Sequence, residues 1–174
     1  LSIGGWGSGR FSEMAADEMN RQKFAKDCLR VVKEFNLDGI DIDWEYPTNS
    51  SAGISSSLAD TENFTLLMHD IRKAIGKKRL LTLASVASGK YIAFDKIEKD
   101  VDFVNIMTYD SGHPPYHHAS LHRSAMSGGT TCVEAVKAHV EGGMPVEKLV
   151  LGIPFYGRGN KTDVKGFIDY KDLL

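Results

Sequence analysis

The stretch that decides the fold runs from Asp38 to Pro47 and reads Asp38-Gly39-Ile40-Asp41-Ile42-Asp43-Trp44-Glu45-Tyr46-Pro47. Successive side chains of a β-strand point to opposite faces. One face is therefore apolar and the other acidic: Ile40, Ile42 and Trp44 against Asp41, Asp43 and Glu45. Neighbouring carboxylates on one face lie about 6 to 7 Å apart. Because like charges in a low dielectric raise one another's pKa values, such a row is typical of a site where a protonated carboxylic acid has a chemical task.

Two other interpretations fit carboxylates at this spacing. The first is an exposed strand edge that carries three solvated acids. This interpretation is disfavoured because the intervening Ile, Ile and Trp require the opposite face to be buried. A calcium loop also draws oxygens from Asp-x-Asp-x-Glu, but it places Gly at its sixth position, which Tyr46 occupies here. The sequence therefore favours a strand with one buried face and Glu45 at its carboxyl end.

Five short apolar runs recur along the chain, most of them followed by a polar turn and a segment of helical periodicity. This alternation predicts β/α units and a parallel sheet. The predicted strands are Leu1–Ile3, Gly39–Asp43, Leu80–Ala87, Phe103–Met107 and Leu149–Ile153. The predicted helices are Arg21–Phe35, Asn63–Ile75, Thr131–Glu141 and a weaker one at Phe94–Val101. The apolar faces of the first two, with Phe35 ending the first, should cover the sheet.

Two segments between these elements have their own character. Asn49–Leu58 is rich in serine and predicts a flexible loop. It follows a strand directly, and in parallel barrels the loops on that side build the active site. Near the end of the chain, Gly166–Tyr170 indicates a further strand or turn.

The composition is that of a globular protein, with 174 residues, 42% hydrophobic and 25% charged. The 21 Lys and Arg against 23 Asp and Glu give a formal charge of −2, which offers no footprint for nucleic acid. No apolar run approaches the roughly 20 residues that span a bilayer. Cys28 and Cys132 lie in predicted helices, and we interpret them as packing residues.

The acidic stretch, Asp38-x-x-Asp41-x-Asp43-x-Glu45, resembles the active-site signature of family 18 glycoside hydrolases, which lies on the fourth strand of their barrel. Three further runs resemble this family in the expected order. Ser2–Trp6 is similar to its third strand, Met107–Asp110 to its sixth and Gly152–Arg158 to its seventh. The resemblance covers nearly the whole chain. It implies an α/β fold, a (β/α)8 TIM barrel of which this chain covers about strand 3 to strand 7.

The resemblance implies a chitinase, which hydrolyses β-1,4-linked N-acetylglucosamine polymers with retention by a substrate-assisted mechanism. The substrate's 2-acetamido carbonyl would attack the anomeric carbon while Glu45 protonates the leaving oxygen. Asp43 would orient the acetamide N–H, Asp41 would share a proton with Asp43, and Tyr109 would bind the acetamide oxygen. The implied substrate-binding residues are Trp6, Tyr46, Met107, Asp110, Tyr156 and Arg158. No cofactor or metal is implied.

Three features near this site have separate interpretations. By alternation, Trp44 should face the helix layer as packing, and Asp38, one face out of phase, should fix the entry to the strand. The tract His113–His122 holds four of the six histidines. Such tracts can bind metal. No carboxylate or cysteine completes a ligand set there at useful spacing, so a cleft-wall or substrate-contacting role is preferred.

A complete barrel of this class has eight strands and about 250 residues, whereas five strands are predicted here. Strands 1, 2 and 8 have no counterpart, and an open sheet leaves two unpaired edges. We therefore expect the chain to be an excerpt of a longer polypeptide; completion by another chain and a natural truncation are the alternatives. We expect residues 1–160 to be a partial catalytic barrel and 161–174 to begin an insertion after strand 7. Alone, the segment should aggregate, pair with itself or show much reduced activity.

Two other functions stay open. One is a non-catalytic chitin-binding lectin of the same family, which the presence of Glu45 disfavours. The other is an endo-β-N-acetylglucosaminidase acting on N-glycans, which Trp6 and the run Gly152–Arg158 disfavour. The resemblance also implies a secreted, extracellular protein, and it leaves the oligomeric state open.

Overall fold

The structure, a computed structural model, describes residues 1–160, 162 and 166–172. Its strands are β1 (Ser2–Gly4), β2 (Gly39–Asp43), β3 (Leu80–Val86), β4 (Phe103–Met107), β5 (Leu149–Leu151), β6 (Tyr156–Gly157) and β7 (Ile168–Asp169). Its helices are α1 (Phe11–Ala16), α2 (Glu18–Glu34), α3 (Asp60–Ile75), α4 (Phe94–Ile97) and α5 (Cys132–Glu141). Short 3₁₀ turns follow α5 at Val146–Lys148 and β7 at Tyr170–Asp172.

Strands β1 to β5 form one parallel sheet in chain order. The parallel arrangement is the predicted one, and it brings the carboxyl ends of all five strands to one edge. The register sets Ser2 beside Asp41 and Asp41 beside Thr82. The acidic face of β2 therefore meets short polar side chains on both neighbouring strands.

The opposite face of the sheet builds the hydrophobic core with α2 and α3. Trp44 is 2% exposed and stacks on Phe11 of α1 at a ring-centroid distance of 5.4 Å. It also packs at 6.1 Å against Phe64 of α3. The predicted role of Trp44 as packing in the helix layer is thus what the structure shows.

Local capping explains where the helices begin and end. Asp17 accepts a hydrogen bond from the backbone N–H of Asn20, so α2 starts three residues before the predicted Arg21. Thr131 and Glu134 form a capping box that starts α5. Helix α2 ends at Glu34, which leaves Phe35 64% exposed; the expectation that Phe35 covers the sheet is wrong.

Other predicted elements are shorter than their sequence patterns. The segment Phe94–Val101 is helical only over Phe94–Ile97, and turn-like hydrogen bonds continue to Val101. Strand β5 ends at Leu151, two residues early, where its pairing with β4 ends. The Asn49–Leu58 segment forms neither helix nor strand, in agreement with the predicted loop.

The end of the described chain forms a small antiparallel pair rather than a sixth strand of the sheet. Tyr156 pairs with Asp169 and Gly157 with Ile168, so the hint of a strand in Gly166–Tyr170 is confirmed for β7. The predicted boundary of an insertion at 161–174 falls partly on residues 161, 163–165 and 173–174, which lie outside the described residues. No helix in the described part of the chain is long and apolar enough to cross a bilayer.

Glycine permits β1 to approach β2 closely beside the acidic row. Gly4 has φ 128°, in the region that favours glycine, and a Cβ there would lie 1.9 Å from the carbonyl oxygen of Asp43. The next amide, of Gly5, donates to the same oxygen at 2.8 Å. The backbone of β1 therefore fixes the position of the residue that carries the central carboxylate.

Candidate active site

Asp41 lies deepest in the acidic row and is fully engaged by its neighbours. Its Oδ2 accepts from the Ser2 hydroxyl at 2.7 Å. Its Oδ1 accepts from the Thr82 hydroxyl at 2.6 Å and from the Asn105 amide at 3.1 Å. Donors from three strands thus hold this carboxylate in place, on β1, β3 and β4.

Asp43, the next carboxylate, has much poorer support. Its Oδ1 is buried and has no hydrogen-bond partner among the described residues. Burial, with the negative charges of Glu45 and Asp41, raises the pKa of Asp43 to about 6. The described residues contain no hydrogen bond between Asp41 and Asp43, since the Asp41 oxygens take other donors. An incoming N–H donor would therefore find an unoccupied acceptor at Asp43.

Glu45 ends the row at the rim of the cleft and is only 8% exposed. Burial raises the pKa of its carboxyl, and the charge of Asp110 raises it further. A hydrogen bond with the side chain of Tyr46 partly offsets this rise. The net result is a carboxylic acid that keeps its proton to a higher pH than an ordinary glutamic acid, as a general acid must.

Tyr109 follows β4 and brings a phenolic hydroxyl into the same cleft. Burial raises the pKa of this hydroxyl, and the charges of Asp43, Glu45 and Asp110 add to the effect. The hydroxyl therefore stays protonated. No hydrogen bond within the described part of the chain occupies it, so it is free to donate to a ligand oxygen.

Asp110, beside Tyr109, is held by a cluster around β6. Arg158 binds it with two hydrogen bonds, of which Nε to Oδ1 is 2.7 Å. Burial alone would raise the pKa of the Asp110 carboxyl, but hydrogen bonds from Arg158 and Tyr156 hold it below its ordinary value. The guanidinium also lies 5.0 Å from the centroid of the Tyr156 ring. Asp110 is therefore ionised and firmly tied.

A cleft of about 770 Å³ opens over these groups. Trp6, 63% exposed, stands at its edge and meets the Tyr46 ring edge-on at 6.3 Å. Tyr46 in turn stacks on Tyr91 at 5.5 Å. Exposed aromatic faces next to carboxylates suit a sugar, because pyranose rings offer both C–H faces and hydroxyls.

The cleft brings together most of the predicted site residues: Trp6, Asp43, Glu45, Tyr46, Met107, Tyr109, Asp110 and Arg158 line it. Asp41 and Tyr156 do not. Asp41 lies below Asp43 inside the sheet, and Tyr156 lies behind Asp110, where its ring supports Arg158. Their contributions to the site are indirect in this structure.

Sequence reasoning missed a second group of lining residues: Val86, Ala87, Ser88, Ser111, Gly129 and Thr130. Ser88 follows β3 at the carboxyl edge of the sheet, so the rule that places active sites on this side of a barrel could have identified it. Gly129 and Thr130 come from the distal part of the loop after β4, whose path depends on tertiary contacts and carries no sequence signal.

The histidine tract lies on this side of the cleft. His113 lines it, and His118 contacts Asp110 and Tyr156. His117 and His122 are exposed. Among the described residues, no group of three or more His, Cys, Asp or Glu side chains could hold a metal ion.

Comparisons with known proteins agree with this geometry. The model of the family "Glycosyl hydrolases family 18" matches residues 1–173. The chain is 40% identical to Chitinase A1 of Niallia circulans over 91% of its own length and 26% of that protein. It is 36% identical to Chitotriosidase-1 of Mus musculus, over 91% of this chain and 38% of the relative.

A solved structure shows the same arrangement. The chitinase domain of the spore coat protein CotE from Clostridium difficile matches with a TM-score of 0.92 and 40% identity, over 99% of this chain and 52% of that one. The chain belongs to glycosyl hydrolase family 18. Its sheet, β1 to β5, is part of the predicted (β/α)8 barrel. The chain thus spans about half or less of the length of these relatives.

Proposed function

We propose that this protein hydrolyses β-1,4-linked N-acetylglucosamine polymers, with retention and with the substrate's acetamide as nucleophile. The observation that carries the proposal is that the buried Glu45 carboxyl and the unoccupied acceptor of Asp43 lie together in one cleft. The names of the relatives, which are chitinases, support it.

Among the described residues, the carboxylates that line the cleft favour the substrate-assisted route. Two-carboxylate glycosidases place a second carboxylate across the scissile bond from the acid. Within the described residues the cleft offers Asp43, on the same strand as Glu45, and Asp110. Both oxygens of Asp110 are bound by Arg158, so it is not available to attack a sugar.

The reaction then proceeds in two steps. Glu45 gives its proton to the glycosidic oxygen while the acetamide carbonyl oxygen forms a bond to the anomeric carbon, and the C–O bond to the leaving sugar breaks. A cyclic oxazolinium ion results. Water, deprotonated by the Glu45 carboxylate, opens this ion at the anomeric carbon, which restores the protonated acid and retains the configuration.

Asp43 and Tyr109 orient the acetamide in this scheme. The unpartnered Oδ1 of Asp43 accepts the acetamide N–H, and its charge stabilises the positive ion. The Tyr109 hydroxyl donates to the acetamide oxygen and holds it near the anomeric carbon. Asp41 acts from below through its negative charge; the proton that the family resemblance has it share with Asp43 would have to replace one of the donors that Asp41 accepts from in this structure.

The remaining predicted residues bind the sugar chain. Trp6 and Tyr46 offer aromatic surface at the rim, and Met107 contributes an apolar wall. Asp110 and Arg158 offer polar groups to sugar hydroxyls, while Tyr156 supports Arg158 from behind. The partner is therefore a chitin chain or a chitooligosaccharide.

The test uses the longest native polypeptide that contains this sequence, incubated with chitin oligomers, with fully deacetylated glucosamine oligomers and with a high-mannose glycopeptide. Mass analysis should show products from the acetylated oligomers alone. Glu45→Gln should lower turnover at least about a hundredfold while oligomer binding persists, because the change removes only the transferable proton. Glu147→Gln, on the exposed surface, is the matched control.

Each contrary result points to a different protein. Cleavage of the deacetylated oligomer would require an enzymic nucleophile and would contradict the acetamide route. Release of a glycan from the glycopeptide would identify an endo-β-N-acetylglucosaminidase. Binding without any turnover would identify a lectin.

The proposal extends to location. The family resemblance implies an extracellular protein, since a polymer such as chitin is degraded outside the cell. Fractionation of the native source, with detection of the protein by antibody, should find it in the medium; retention inside the cells would contradict this part of the proposal.

A further inference from the structure

His118 contacts Asp110 at two points from the loop that follows β4. The backbone N–H of Asp110 donates to Nδ1 of His118 at 3.3 Å, and the same nitrogen lies 3.6 Å from Oδ1 of Asp110. The imidazole also packs on the Tyr156 ring at a centroid distance of 5.5 Å. Its side chain is 18% exposed, so the ring is largely enclosed by the residues it would organise.

The contact supports a backbone conformation that needs support. Asp110 has φ 56°, in the left-handed region that a residue with a side chain adopts at a cost. Because an N–H donates to it, Nδ1 of His118 must be the unprotonated nitrogen, and the ring proton is on Nε2. The imidazole therefore acts here as an acceptor that satisfies the Asp110 amide.

The position of Asp110 matters to the acid. Its negative charge is one of the causes that raise the pKa of Glu45. The charged and titratable groups facing His118 are Asp110, three residues after the end of β4, and Tyr156 of β6, with Arg158 bound to Asp110. Arg158 holds the carboxylate of Asp110, whereas His118 holds its main chain.

We propose that His118 is a positioning residue, which fixes the Asp110 backbone and so holds the Asp110 carboxylate in place on the wall of the cleft that Glu45 also lines. The effect of His118 on turnover rests on the proposed function, whereas the placement of Asp110 by His118 does not depend on that function. The positioning depends on the acceptor atom Nδ1. Another side chain with an acceptor at the same place should therefore perform the same role as the imidazole.

The experiment compares four variants of the native polypeptide. His118→Leu removes the acceptor, and His118→Asn keeps one where Nδ1 lies. His118→Gln instead places its oxygen where Nε2 lies. His117→Leu, at an exposed neighbour in the same loop, is the matched control. The titration of the Glu45 carboxyl is followed by carbon NMR, with the signal assigned by its loss in Glu45→Gln.

The expected results separate the acceptor from mere packing. In His118→Leu the main chain of Asp110 relaxes and its carboxylate turns from Glu45, so the pKa of Glu45 should fall by about half a unit. The alkaline limb of kcat/KM should move down in pH by the same amount, since Glu45 then loses its proton earlier. The kcat should fall about fivefold, as for one lost hydrogen bond. His118→Asn should behave as wild type and His118→Gln as His118→Leu.

The outcomes that overturn the inference are distinct from those that overturn the function. An unchanged Glu45 titration in His118→Leu, or equal losses in His118→Leu and His118→Asn, would refute the positioning role. If His118→Leu does not fold, the contrast between His118→Asn and His118→Gln decides in the same way. A wild-type protein without turnover would refute the function alone, because the NMR titration needs no substrate.

Discussion

Asp41, at the deep end of the acidic row, and Asp43, in its middle, differ sharply in how the surrounding residues support them. Asp41 and Asp43 have the same side chain on the same face of the same strand. Asp41 accepts three hydrogen bonds, whereas an oxygen of Asp43 is buried with none. The deep end of the row is therefore built for stability. The hydrogen bonding of Asp43 is left incomplete, which costs stability and leaves an acceptor for a ligand.

The largest expected effect on stability comes from the opposite face of the strand, because the packing of that face supports both Asp41 and Asp43. Trp44→Ala should lower the free energy of unfolding by about 3 to 5 kcal/mol, because it opens a cavity between Phe11 and Phe64. Denaturant titration measures this. Trp44→Phe is the control and should recover more than half of the loss, since the buried Nε1 of Trp44 has no partner in the described structure. A loss below about 1 kcal/mol for Trp44→Ala would contradict the packing role.

The second effect tests the deep end. Asp41→Ala leaves the donors on Ser2, Thr82 and Asn105 without their acceptor, and should cost about 2 to 3 kcal/mol of unfolding free energy. Asp41→Asn retains an acceptor oxygen and should cost less. If the two substitutions are equally mild, the deep carboxylate is not the anchor described here.

The third effect has the opposite sign. Asp43→Asn should raise stability at neutral pH by about 1 to 2 kcal/mol, since it removes a poorly supported charge in a cleft that water screens only in part. The folded-state pKa is about 6 against an ordinary 3.8, so the wild type loses stability as pH rises through that interval. The gap between variant and wild type should be full above about pH 6 and absent below the ordinary value. Thermal melts across pH would measure it; a gap that grows toward low pH would refute the assignment.

The smallest effect on stability should come from Tyr109. Because its hydroxyl makes no hydrogen bond within the described residues, Tyr109→Phe should change the free energy of unfolding by less than about 0.5 kcal/mol. Under the proposed function, its kcat should fall at least about tenfold, since the acetamide would lose a positioning donor. A large stability loss would show that the hydroxyl serves the fold. Tyr116→Phe, at an exposed ring in the loop after β4, is the control for removing a phenol.

The sequence was sufficient for the sheet but not for the support of the site. Strands β2 and β4 begin and end where the apolar alternation places them, because buried strands have a strong periodic signal. Helix α1 was not predicted from the sequence, because it has only six residues and no side-chain cap at Arg10. Its importance lies in Phe11, whose contact with Trp44 is tertiary.

The chemistry-bearing residues could be placed because they sit on or directly after strands. Their electrostatic states could not be predicted, since these states depend on the register between neighbouring strands. Which carboxylate is satisfied follows from the pairing of Asp41 with Ser2 and Thr82, and no pattern within a single strand contains that information. The same holds for His118, which reaches Asp110 only through the path of its loop.

Gly4 has a consequence for how this protein can change over generations. The residue carries no chemistry, yet any side chain there would collide with the carbonyl oxygen of Asp43, 1.9 Å from the nearest possible Cβ. The side chains that line the cleft extend into open space, so they can be exchanged without a collision with the backbone of a neighbouring strand. Gly4 cannot be exchanged in this way. The backbone contact thus separates positions where the side chain can vary from one position where any side chain would force two strands of the sheet apart.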